Sequence, residues 1–148
     1  MPGADVTFSV DFAGVDRALE TPLRAWLQGR LSAIASNAFH RAPVSKPTPI
    51  HPKSKAPQRV PGKLKHSINT RIEGSGTRLI GVVEATAPYA RYVHEGTGPH
   101  PINPRRPAYA LAFWWEKKGD FVVLPSVNHP GTRPQPFLRD ALVAVMGG

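Results

Sequence analysis

The spacing of apolar positions changes several times along this chain, and each change predicts a different element. In residues 4–13, Val6, Phe8, Val10 and Phe12 alternate with Asp5, Thr7, Ser9 and Asp11. Period two predicts a half-buried strand, which Gly14 breaks. Between residues 15 and 40 the step lengthens to three and four. Leu19, Leu23, Leu27, Leu31, Ile34 and Ala38 form a stripe with Trp26 beside it. That is the pattern of a long amphipathic helix. Thr21-Pro22 reads as a cap and first-turn proline; alternatively Asp16 caps an earlier turn and Pro22 leaves a kink.

Residues 41–62 lose all period, and their six prolines exclude a long helix or a central strand. They predict an extended loop or arm. Alternation returns in residues 66–73, where Ile68, Thr70 and Ile72 share one face. Gly74-Ser75-Gly76 predicts a turn, and residues 77–86 are apolar on both faces, as a central strand would be. After Pro88, Tyr89 to Val93 predict a helical turn ending at Gly96. Residues 99–107 hold four prolines and predict a second irregular stretch. Residues 108–115 and 120–127 predict a strand pair around Lys117-Lys118-Gly119. Pro136 opens a last helix in which Phe137, Leu138, Ala141, Leu142 and Val145 form one face, stopped by Gly147-Gly148. The expected fold is α+β: an antiparallel sheet of about five strands, packed by a long helix from the N-terminal half and a C-terminal helix, with long Pro-rich loops. At 148 residues it is expected to be a single domain spanning 1–148.

Composition sharpens this picture in three ways. Prolines number 17, about twice ordinary usage, and cluster in the irregular stretches. No cysteine is present, which excludes disulfides, thiol nucleophiles and thiolate zinc sites. No apolar run is long enough for a membrane helix, and the first residues do not form a secretory signal. Charge is the strongest signal: 19 lysines and arginines against 10 acids, a formal +9. Between Glu20 and Glu73 there is no acid but there are ten basic residues. Such a surface attracts phosphates or acidic protein faces, or simply keeps the chain solvated.

Candidate chemistry is sparse. His94-Glu95, His100 and His129 could ligate zinc, but the H-E-x-x-H spacing is absent, and surface or interface roles are simpler. Ser126 and His129 lie near each other without a placed acid, and no G-x-S-x-G elbow exists. Gly74-Ser75-Gly76 and Gly96-Thr97-Gly98 match neither phosphate-binding glycine motif. Trp114-Trp115 beside a basic turn could stack on single-stranded nucleic acid, though no interleaved aromatic series follows, and a core or edge role is simpler. No catalytic residue, metal site or cofactor is expected.

Three segments, in order, carry a resemblance. Ala42-Pro43-Val44 followed by Gly62-Lys63-Leu64-Lys65-His66-Ser67-Ile68 resembles A-P-V-D-T-G-x-L-x-x-S-I. Tyr89-Ala90-Arg91-Tyr92-Val93-His94-Glu95-Gly96-Thr97 resembles Y-A-x-Y-V-E-x-G-T. Arg133-Pro134-Gln135-Pro136-Phe137-Leu138-Arg139-Asp140-Ala141-Leu142 resembles x-P-Q-P-F-L-x-P-A-L. Together they resemble the head–tail joining or tail-completion proteins of tailed phages, the minor tail protein Z-like family, from about residue 20 onward. The aspartate and threonine before the first motif glycine are missing, and the basic Pro-rich insertion of residues 45–61 stands there.

The resemblance implies a small α+β virion subunit without catalysis or cofactor. It would form a sixfold homo-oligomeric ring at the neck or top of the tail, assembled in the host cytoplasm. Its partners would be portal-side connector proteins and tail-tube or tail-terminator proteins, with non-specific contact to genomic DNA and none to membrane. Tail terminator is the alternative role, and a basic nucleic-acid-binding module the alternative of a different class. On such a subunit Gly96 and Thr97 would make a tight reversal, and Tyr89 and Tyr92 would anchor the preceding turn on the core. Pro134 and Pro136 would fix the entry to the last helix, which Phe137 and Leu138 dock. Residues 41–62 and 97–107 would be interface arms, and Lys46, Lys53, Lys55, Arg59, Lys63 and Lys65 would line either a protein interface or the DNA channel.

Overall fold

The structure is a computed structural model that describes residues 3–11, 19–53, 60–76 and 78–147. Gly14, Asp16, Lys55 and Arg59 lie outside the described residues. The order is β1 (Ala4–Asp11), α1 (Glu20–Arg41), α2 (Lys63–His66), β2 (Ile68–Ser75), β3 (Arg78–Ala85), α3 (Ala90–Glu95), β4 (His100–Ile102), β5 (Leu111–Trp115), β6 (Asp120–Leu124), β7 (Val127–His129) and α4 (Phe137–Met146). The class is α+β. The strands, however, do not make one five-stranded sheet: the described residues form a three-stranded sheet and two two-stranded ribbons.

The three-stranded sheet has the order β1-β3-β2, all antiparallel. Its core face is built from rows that the register fixes. Val6, Val83 and Thr70 make one row, and Phe8, Gly81 and Ile72 the next. α1 lies on this face. Leu27, Leu31, Ile34 and Ala38 are buried at three- and four-residue steps. Leu23 packs at the margin, but Leu19, half exposed, precedes the helix and drops out of the stripe. α1 begins at Glu20, so Thr21 and Pro22 occupy its first turn, where a missing amide costs nothing.

Gly81 is the contact point between helix and sheet. A Cβ there would stand 2.9 Å from Leu31 Cδ2 and 3.0 Å from Phe8 Cζ. The missing side chain lets Leu31 nest against the strand. α4 packs chiefly on α1 and also reaches β1. Its Phe137, Leu138 and Ala141 complete the core. On the opposite sheet face Val82 is also buried, directly across from Arg71, whose guanidinium pairs with Glu73 and Glu84. An arginine stem covers apolar surface while its head stays in water.

Two local readings need correction. The segment before β2 is not extended from residue 66: Lys63–His66 form a helical turn, entered through Gly62 at φ 79 and closed by Ser67 Oγ donating to the Leu64 carbonyl at 2.8 Å. Residues 99–107 are not wholly irregular: His100–Ile102 pair with Val127–His129. Proline density hid this strand, yet a two-stranded ribbon needs only one edge of each strand to donate.

Candidate functional site

The second and third motif segments, far apart in sequence, meet at one place. α3 turns Ala90 and Val93 inward, one fully buried and one packed on the core. Tyr89 and Tyr92 therefore face outward, each about two-fifths exposed. The expectation that they anchor the turn is wrong by one position: on a short helix, residues three apart share a face, and Ala90 and Val93 hold the inner one. Gly96 ends α3 at φ 75 and ψ 178, a conformation nearly confined to glycine. A Cβ there would lie 2.6 Å from the Thr132 carbonyl oxygen and 2.8 Å from Pro134 N. Thr97 and Thr132 exchange two backbone hydrogen bonds, at 3.0 and 2.9 Å. Gln135 N–H donates to the Val93 carbonyl at 2.9 Å.

His94 finishes this clasp. Its Nε2 accepts the Arg139 N–H at 3.4 Å, and its ring meets Phe137 edge-on with centroids 5.6 Å apart. Arg139 is in the first turn of α4, whose preceding Pro136 offers no side-chain cap. An imidazole from a different element thus satisfies one of the orphan donors at the helix start. Burial lowers the His94 pKa and the nearby Arg139 cation lowers it further, against smaller opposing effects of Glu95, Asp140 and Asp5. A neutral ring is what an accepting Nε2 requires.

From this clasp a ribbon emerges. Residues 97–132 run out through β4 and β5 and return through β6 and β7. None of its 36 residues is buried. In the outer ladder Leu111 faces Leu124, Ala112 Val123, Phe113 Val122, Trp114 Phe121 and Trp115 Asp120. Nine of these ten residues are apolar, so the ribbon is apolar on both faces. The Pro-rich segment reaches one of them: His51 meets Phe121 edge-on, with centroids 5.0 Å apart. The expected strand pair at 108–127 is therefore present but shorter. It is also continuous with the stretch expected to be a separate loop.

Four of the six sequence-selected basic residues fall among the described residues. Lys46 and Lys53 are exposed in the Pro-rich segment, and Lys63 is exposed at the start of α2. Lys65 is engaged, its Nζ 5.1 Å from the centroid of the Phe39 ring. Other cations sit on the ribbon, with Lys118 4.9 Å over Trp115 and Arg106 5.8 Å over Tyr109. Of the motif positions, Gly62 and Leu64 belong to the entry of β2, Leu64 being buried; Phe137 and Leu138 are buried in the core. Pro134 abuts Gly96, and Pro136 immediately precedes α4.

An open concavity of about 480 Å³ lies at the ribbon's base, lined by Arg91, Tyr92, Glu95, Thr97, Pro99 and His100 among others. Arg91 and Glu95, one turn apart on α3, are paired on its wall at 3.0 Å. His100 and His129 are cross-strand neighbours with ring centroids 5.1 Å apart. Among the described residues no group of three potential ligands could hold a metal ion. Sequence reasoning missed the capping role of His94 and the contact of His51. Neither has a local signature, because each depends on a residue more than 40 positions away. The chain matches no known family model, no curated protein and no solved structure.

Proposed function

We propose that this chain is a structural subunit of a tailed-phage neck that forms a ring, completes the tail and joins it to the DNA-filled head. One observation carries the reading: a 36-residue ribbon without a buried residue, apolar on both faces of its outer ladder. A two-stranded ribbon is marginal in water by itself, and contiguous exposed apolar surface marks a docking site. The resemblance at residues 89–97 and 133–142 supports the same reading, because those segments build the clasp that holds the ribbon. Tail termination is the closest variant, since it would use the same surfaces.

The test is complementation. Filled heads and tails from a phage lacking this protein are mixed with the purified chain, and infectious particles are counted. Restored infectivity is expected; particles that remain unjoined with folded protein present would reject the reading. A second reading, contact with nucleic acid, is favoured by the cation–aromatic pairs Lys118–Trp115 and Arg106–Tyr109. It predicts binding of the isolated chain to DNA that weakens steeply with salt.

A further inference from the structure

We propose that the ribbon of one copy seats on a second copy of this chain, with Trp115 entering the groove between α1 and the edge strand β2. The inference rests on the ring-forming reading and names the joint that would make the ring.

Two unmatched apolar surfaces stand on one chain. The first is the ribbon face bearing Leu111, Phe113, Trp115, Val122 and Leu124. The second is an open groove of about 550 Å³ lined by Thr21, Arg24, Ala25, Gln28 and Ile72. Among the described residues neither β5 nor β6 packs extensively on α1 or β2. A second copy supplies both at equal number. The contact joins unlike patches, so it repeats head to tail and closes into a ring if the rotation permits.

Size and charge agree with this occupant. A stable interface takes about 20–30 residues a side, and the 36 residues of the ribbon provide one side without drawing on the core. Asp120 is the one acid of the ladder and lies directly across from Trp115. In the groove Arg24 is held loosely, 3.7 Å from Glu20 and 3.4 Å from the Gly74 carbonyl oxygen. Lys118, over the Trp115 ring, would find Glu20 one helical turn before Arg24. The seat thus offers an acid to Arg24 and a base to Glu20. Nucleic acid would leave most of the apolar ladder unmatched.

The absence of native cysteine makes the joint directly readable. The full chain carrying Glu116→Cys, beside Trp115 and leaving it in place, with Ala25→Cys is oxidised gently and run without reductant. A ladder of covalent oligomers is expected, absent from each single variant. Glu116→Cys with Ser9→Cys, on the opposite sheet face, should give none. Native mass spectrometry of the wild type and of Trp115→Asp, with and without isolated tails, completes the test. Circular dichroism checks that the variant is folded. A wild-type ring and a monomeric variant are expected, with the assembly constant weakened at least about 100-fold. Rings from both chains without the ladder would overturn this joint and leave the ring reading standing. A wild type that is monomeric even on tails would overturn both. A monomer that instead captures duplex DNA in a salt-steep manner would assign the ribbon to nucleic acid.

Discussion

The body and the ribbon are equally apolar in sequence and opposite in fate. In the body, Leu27, Leu31, Ile34, Leu79 and Leu138 are fully buried between α1, α4 and the sheet. In the ribbon, Phe113, Trp114, Phe121 and Val122 are only half-buried and Val123 is mostly exposed. The difference is one of layers. A sheet face is closed when a helix lies on it, and the three-stranded sheet has α1 and α4. A ribbon two strands wide has two faces and little beyond its own side chains and His51 to cover them. Apolar content therefore says that a segment must be covered, and topology decides whether the same chain can do it.

The largest effect that tests this contrast is removal of a body side chain. Leu138→Ala should cost about 2–5 kcal/mol, because the cavity it leaves is enclosed by α1 and the sheet. Urea unfolding should show it as a lower midpoint; a loss under about 1 kcal/mol would mean that α4 is not part of the core. Next comes the clasp. Gly96→Ala should cost about 1–3 kcal/mol, since φ 75 with ψ 178 excludes a Cβ and the Thr132 oxygen is 2.6 Å from its place. Hydrogen exchange should show Thr97 and Thr132 amides losing protection while α1 amides keep theirs. Equal loss in both would show that clasp and body unfold as one unit.

How much of this was legible depends on the range over which each element is determined. β1, α1 and α4 follow from local period, and their core faces hold Val6, Leu31 and Leu138 as the pattern requires; β3, apolar on both faces, follows from its apolar run and sets Val83 in the core. The alternation of Ile68, Thr70 and Ile72 placed β2 on the same face. Strand partition was not legible. Lys117-Lys118-Gly119 marked Leu111–Leu124 as a pair, but nothing near it says that the pair stands apart from β1, β2 and β3, because that choice rests on contacts distant in sequence. β4 was masked by Pro99, Pro101 and Pro104, which carry no amide hydrogen. At the candidate site, Gly96 and Pro134 were each legible as turn residues, but their mutual approach was not. The outward turn of Tyr89 and Tyr92 was recoverable in principle, since Ala90 and Val93 are the pair at helical spacing that ends at Gly96.

A smaller effect probes how body and ribbon are joined through His94. Its folded pKa lies below the ordinary value near 6.5, chiefly from burial and then from Arg139. The unfolded chain therefore binds the proton more readily than the folded one. Stability from this group is complete above about pH 6.5 and falls as pH drops through that value toward the folded pKa. Half-exposure keeps the effect modest. Melting temperature should decline by no more than about 2 °C from this source between pH 7 and pH 5. His94→Gln, which keeps an acceptor for the Arg139 N–H, should flatten that slope without lowering stability at pH 7.5. An unchanged slope would assign the acid sensitivity to another group.

The smallest expected effect separates the two regions most sharply. Replacing residues 98–131 by a short Gly-Ser linker removes the ribbon and leaves its point of attachment. No buried side chain is deleted, and the tie from Gln135 to Val93 and the contact of His94 with α4 lie outside the cut. The body should therefore melt at the same temperature as the full chain and retain its helical circular dichroism. Shortening the loop acts mainly through closure entropy, which changes slowly with length. The same deletion should abolish self-assembly. Loss of folding along with the ribbon would mean that the sheet and helices depend on it, and the distinction between body and ribbon would fail. A folded monomer would show that apolar residues so numerous at 111–124 contribute little to the subunit's own stability, which leaves assembly as the force that keeps them apolar.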